Sequence, residues 1–110
     1  MTSFSISTDR DGDSVQVRLG GELDIATAPR AEEELHQAEE DAGSGTVVID
    51  LAGLTFMDST GLRLLVAADA RAHAHGRRLA IVRGPEAVQR VIELTGLDAK
   101  LLLVDDASEL

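Results

Sequence analysis

Between residues 46 and 104 the hydrophobic period of the chain switches repeatedly, and that alternation narrows the possible folds more than any other feature. Thr46-Val47-Val48-Ile49-Asp50-Leu51 is a short, nearly continuous apolar run rich in β-branched residues, the pattern of a strand covered on both faces in a parallel sheet. It leads through residues 52–57, read as a turn containing Gly53, to Asp58-Ser59-Thr60-Gly61. From Leu62 the period is helical: Leu62, Leu65, Val66, Ala70 and Ala72 or Ala74 form one apolar stripe, which Gly76 closes. Residues 79–82 read as a second buried strand, Gly84-Pro85 opens a helix carrying Val88, Val91 and Ile92, Gly96 stops it, and residues 101–104 read as a last strand. Strand, helix, strand, helix, strand in this order requires parallel pairing through right-handed crossovers.

The front of the chain follows a different rule. Residues 4–8 and 15–19 alternate apolar with polar side chains around Asp11-Gly12-Asp13, which predicts a β-hairpin with one buried face. Gly20-Gly21 then interrupts the alternation, the mark of a bulge or a close backbone approach. Thr27 is placed as a helix N-cap with Pro29 in the first turn. Ala28, Ala31, Leu35, Ala38 and Ala42 make the buried stripe of that helix, Glu32, Glu33, Glu34, Glu39 and Glu40 its wet face, and Gly43 its end. The expected fold is α/β, one small domain over residues 1–110 whose mixed β-sheet carries an N-terminal hairpin and parallel βαβ units, with helices packed against the sheet. Residues 105–110 are suited to start a further helix but are too few to secure one.

Composition then removes whole classes of function. The 110 residues are 44% hydrophobic and 27% charged with no cysteine, enough apolar matter for a packed core and no means of making a disulfide. With 10 basic and 20 acidic residues the formal charge is −10, which argues against nucleic acid, whose binding needs clustered Lys and Arg. The longest basic run is Arg77-Arg78, and Phe4 and Phe56 are the only aromatics, so base-stacking platforms are missing as well. No stretch approaches the roughly 20 apolar residues that span a bilayer. The N-terminus lacks a charged segment followed by an apolar one, so a cytoplasmic location is expected.

Chemistry has few places to sit. Asp58-Ser59-Thr60-Gly61 stands at a strand-to-helix junction, where sites gather in open α/β sheets. Asp58 is suited to cap the helix, leaving Ser59 in the first helical position with its hydroxyl free; Ser, Thr and Asp at a helix start also serve as caps and nothing more. Met57-Asp58-Ser59-Thr60-Gly61 has half of a nucleophile elbow but lacks its first glycine, and no phosphate-cradling Gly-rich loop is present. His73 and His75 point about 200° apart on one helix and cannot face a common metal, and His36 lies among glutamates, so all three read as surface residues. Glu22, Asp24 and Asp58 could together hold a divalent cation; alternatively Asp24 assists the turn into the next helix and Glu22 is a solvated strand residue. No cofactor and no metal ligand set is expected.

Gly21-Glu22-Leu23-Asp24, then Thr27-Ala28-Pro29, Val48-Ile49-Asp50-Leu51, Leu54-Thr55-Phe56-Met57-Asp58-Ser59-Thr60-Gly61-Leu62 and Leu94-Thr95-Gly96-Leu97 together resemble the STAS-domain anti-sigma factor antagonists of bacteria, over nearly the whole chain. The resemblance implies a STAS-type domain that is not an enzyme and that works in a partner-switching cycle. The unphosphorylated antagonist binds an anti-sigma factor, itself a serine kinase, and frees a sigma factor; phosphorylation releases the antagonist, and a metal-dependent serine phosphatase of the PP2C type restores it. Carried over, Ser59 is the phosphoacceptor, Asp58, Thr60 and Gly61 complete its motif, and Asp24 stands near it. Arg63 follows Ser59 by four residues, close enough on a helix to pair with a phosphate there. The family usually carries a longer C-terminal helix than residues 105–110 allow. Two other readings compete: a STAS subunit of a transporter or lipid-trafficking complex or a small-ligand sensor, and a small hydrolase using Ser59.

Overall fold

The computed structural model describes residues 3–110. A hairpin opens it: strand β1 (Phe4–Asp11) pairs antiparallel with β2 (Ser14–Leu23), with Asp11 opposite Ser14 across a tight turn in which Gly12 takes φ 61°, a backbone conformation that glycine adopts without Cβ strain. Helix α1 (Ala28–Ala42), β3 (Thr46–Met57), α2 (Ser59–Ala74), β4 (Arg78–Val82), α3 (Glu86–Leu94) and a short β5 (Leu103–Val104) follow. The sheet order is β1-β2-β3-β4-β5, with every pair after the first parallel. The expected mixed sheet, front hairpin and parallel βαβ units are all present.

That sequential order has a consequence for packing. Right-handed crossovers that always step in the same direction place every crossover helix on the same face of the sheet. Val15, Val17, Leu19, Val47, Ile49, Leu51, Leu79 and Ile81 accordingly form one core with Leu35, Leu65, Val88 and Ile92 of the three helices. Val48, Val82 and Val104 point the other way, into a small second cluster covered by Ala107. The β-branched run of β3 is therefore buried on both sides, but by helices on one side and by the C-terminal segment on the other.

Several boundaries differ from the sequence reading. Residues 52–57 are not a turn: β3 runs on to Met57, paired with β2 alone after its last partner in β4, Val82 opposite Asp50. The Gly20-Gly21 step provides the irregularity that makes this possible. The β2–β3 register shifts on either side of it, and Gly21, at φ 82°, lies so near Ser3 that a Cβ would come within 2.1 Å of its carbonyl oxygen. In α2 the buried stripe is Leu62, Leu65, Ala68 and Ala72, with Leu64 and Asp69 also buried, while Ala70 and Ala74 face solvent and Val66 is half-buried. In α1 the expected alanine and leucine stripe is buried from Ala31 onward, but Glu39 is buried with it. It is not part of a wet face, because Arg71 of α2 donates to both of its carboxylate oxygens at 2.8 Å. The last strand shrinks to two residues, and a single 3-10 turn, Ala107–Glu109, follows it, closed by reciprocal bonds between Asp106 and Glu109. The backbone N–H of Ser108 donates to Asp106 and holds that carboxyl below its usual range.

Candidate functional site

Because β2, β3 and β4 run parallel, the loops leaving them emerge at one edge of the sheet, the edge where open α/β sheets carry their sites. β3 overshoots β4 there by the seven residues after Asp50, 51–57, roughly 20 Å of extended chain. Asp58 and Ser59 thus stand clear of the sheet's centre, next to the loop that leaves β2.

Asp58 is extended and its Oδ1 accepts from the backbone N–H groups of Thr60, at 2.9 Å, and Gly61, at 3.3 Å. It satisfies two of the N–H groups that a helix start leaves without partners, as the sequence suggested. Its own N–H donates to the carbonyl of Leu23 at 3.3 Å, which joins the β3–α2 junction to the end of β2. Ser59 occupies the first helical position and is exposed. Gly61 is buried, and a Cβ there would lie 2.6 Å from Met57 Cγ and 2.9 Å from Leu23 Cδ2. Its glycine lets α2 seat against both strands.

The β2–α1 loop is fastened by an internal ring of bonds. Asp24 Oδ1 accepts from the N–H of Ala26 at 2.9 Å and of Thr27 at 3.2 Å, while Thr27 Oγ1 accepts from Asp24 N at 3.0 Å and donates to the Glu22 carbonyl at 2.8 Å. Thr27 does hold the N-cap position of α1, but its hydroxyl makes no cap bond; the loop uses it instead. Asp24 serves the turn, and among the described residues no group of three or more His, Cys, Asp or Glu gathers to hold a metal ion.

The first turns of α1 and α2 face each other across a groove of about 400 Å³ lined by Ile25, Ala28, Pro29 and Glu32 on one side and Thr60, Arg63, Leu64 and Ala67 on the other. Glu32 is compensated, lying 3.0 Å from Arg71 and 3.1 Å from His36. Arg71 holds its proton more firmly than an ordinary arginine, through its bond to Glu39 above all. Arg63 is exposed, and among the described residues no carboxylate lies within 4.0 Å of it. Of the residues singled out in the sequence, Asp24, Asp58, Ser59, Thr60, Gly61 and Arg63 all belong to this one end of the molecule. The histidines are not among them: His36 is on α1, 3.1 Å from Glu32, and His73 and His75 are at the far end of α2, about 20 Å from Ser59 along the helix axis. Neither histidine of α2 can therefore serve Ser59 as a base. Ile25, 77% exposed, was missed in the sequence, where its only signal was an isolated large aliphatic residue outside any periodic stripe.

Comparison with known proteins bears on this geometry. The family described as Mlab, STAS domain matches residues 6–105. An anti-sigma-B factor antagonist of Staphylococcus epidermidis is 34% identical over 107 residues, covering 97% of each chain. A crystal structure of an anti-sigma factor antagonist from Mycobacterium paratuberculosis superposes with a TM-score of 0.87 at 28% identity, covering 97% of this chain and 90% of that one. The anti-sigma factor antagonist SpoIIAA in its unphosphorylated form shares the fold, with a TM-score of 0.78 at 21% identity over 96% of this chain and 91% of that one.

Proposed function

The chain belongs to the STAS-domain family, and from that membership we propose that it is an anti-sigma factor antagonist whose binding is switched off by phosphorylation of Ser59. The anti-sigma factor antagonists are regulatory proteins and not enzymes. In this reading the unmodified chain binds an anti-sigma factor that is also a serine kinase, and a sigma factor is freed for transcription. Transfer of a phosphoryl group to the Ser59 hydroxyl ends the complex, and a PP2C-type phosphatase restores the free hydroxyl. In this reading the cycle runs in the cytoplasm.

The observation that carries this reading is the placement of Ser59: exposed, in the first helical position, with its flanking N–H groups already engaged by Asp58. A kinase can reach such a hydroxyl without unfolding anything. The phosphate adds about −1.5 to −2 charge and three acceptor oxygens. At a helix N-terminus the domain itself tolerates that charge, whereas in a contact surface an unmatched, desolvated dianion opposes association. In this reading Asp24, Asp58 and Thr60 belong to the contact surface, Gly61 sets how closely α2 approaches the strands, and Arg63, one turn on, is in reach of the phosphate. The 34% identity to a named anti-sigma-B factor antagonist favours this reading over a transporter or lipid-trafficking subunit.

The test is phosphate-affinity electrophoresis after incubation with the cognate kinase and ATP. The wild-type chain should shift and Ser59→Ala should not, while still binding the kinase. An undiminished shift in Ser59→Ala removes the assignment.

A further inference from the structure

We infer that the groove between α1 and α2 receives an aliphatic side chain of the anti-sigma factor together with a neighbouring carboxylate, which pairs with Arg63 until phosphate on Ser59 takes that cation. This rests on the proposed function and specifies how the same site chooses and loses its partner.

Three features argue for that occupant. The first is Ile25, 77% exposed at the mouth of the groove. Single exposed aliphatic residues are common on protein surfaces, so exposure decides nothing alone. Ile25, however, is displayed by a loop fastened on both sides of it, through Asp24 to Ala26 and Thr27 and through Thr27 to Glu22. The free chain has fixed an apolar side chain outward instead of folding it away. The second is the groove itself, an open depression whose walls include Ala28, Pro29, Leu64 and Ala67, apolar surface that a side chain of similar character would cover.

The third is an asymmetry of charge. Glu32 is already paired with Arg71, at 3.0 Å, so the α1 wall offers no free anion. Arg63 on the α2 wall has no carboxylate within 4.0 Å among the described residues, in a chain whose formal charge is −10. An apolar groove with an uncompensated cation on its rim is complementary to an aliphatic side chain beside an acidic one. Residues four apart on a helix have Cβ atoms about 5–6 Å apart, so a phosphate on Ser59 lies within reach of the Arg63 guanidinium, which suits phosphate as well as carboxylate. One cation then serves two alternative anions. Phosphorylation does more than add repulsion, because it also withdraws the group that held the partner.

The experiment is a double-mutant cycle read by isothermal titration calorimetry against the purified cognate anti-sigma factor, with Ser59 either unmodified or introduced as genetically encoded phosphoserine. Ile25→Ser and Arg63→Glu, both at exposed positions, should each weaken binding of the unmodified chain by about tenfold or more. Arg63→Ala should weaken it less, but should shrink the factor lost on phosphorylation by about threefold or more relative to wild type. If wild type binds and the phosphorylation factor is the same in Arg63→Ala, the hand-over of the cation is wrong while the switch stands. If Ile25→Ser and Arg63→Glu bind as wild type does, the groove is not the docking surface. Sedimentation velocity of the chain alone covers the other occupant: self-association that Ile25→Ser abolishes, with anti-sigma factor binding untouched, assigns the groove to a second copy and overturns the inference. Failure of the unmodified wild type to bind any anti-sigma factor instead overturns the function on which it rests.

Discussion

Helix α2 carries two arginines in opposite circumstances. Arg71 faces α1, bonds Glu39 through two nitrogens at 2.8 Å and reaches Glu32 at 3.0 Å; it is used up inside the molecule. Arg63, eight residues earlier, lines an open groove without an acidic partner among the described residues. Toward the far end of the pair Arg77 also turns inward, its Nε donating to the carbonyl of Gly43 at 3.0 Å, while the buried carboxylate of Asp69 has only the exposed His73, at 3.6 Å, beside it. At the Ser59 end a hydroxyl, an aliphatic side chain and a cation are all displayed on fastened backbone. Arg71 holds the two helices to each other, and Arg63 is left for a partner to recognise.

Breaking the matched end should cost most. Arg71→Ala leaves the Glu39 carboxylate buried with only Arg77, at 3.9 Å, nearby, and should destabilise by about 2–3 kcal/mol in urea denaturation, somewhat less than for a fully isolated buried charge. Replacing both partners, Arg71→Met with Glu39→Leu, should recover most of that loss; if the double variant is as unstable as the single one, the pair is not what holds α1 to α2. Gly61→Ala comes next, at about 1–3 kcal/mol, because the added methyl meets Met57 and Leu23 within 3 Å, and thermal unfolding should register it. Asp58→Ala should lose about 1 kcal/mol with its cap bonds, whereas Asp58→Asn keeps an acceptor and should lose only a fraction of that. Arg63→Ala should change stability least, by less than about 0.5 kcal/mol, although it lies on the proposed contact surface. A loss there comparable to that of Arg71→Ala would erase the contrast between the two ends.

The sequence displayed the order of elements well, because strand and helix periods differ sharply and the turns at Gly12, Gly43, Gly76 and Gly96 are marked by glycines that all take positive φ. It displayed burial less well where a residue's fate depends on distant chain. Five glutamates on α1 look alike locally; Glu39 is buried because Arg71 arrives beside it from 32 residues away. Residues 52–57 look like a turn because Ala52 and Gly53 are poor strand formers, yet Gly53 opposes Gly20 in β2, and strand pairing overrides local preference. In α2 the error was one of phase: alanines suit either face of a helix, so Ala68 and Ala70 could not be told apart until the neighbours were fixed. The site was legible for the reverse reason. A cap, a serine in the first turn and a glycine are local features, and Asp58 makes its bonds within three residues. Ile25 was not legible, since its exposure follows from hydrogen bonds that fasten the loop around it.

If Ser59 stands in the contact surface, its modification decides binding. Titration of the cognate anti-sigma factor with the unmodified chain and with the chain carrying phosphoserine at position 59 measures this directly. A saturable complex is expected with the unmodified chain, and an affinity lower by about a hundredfold or more, about 2.7 kcal/mol, for the phosphorylated one. Equal affinities, or tighter binding of the phosphorylated chain, would contradict it.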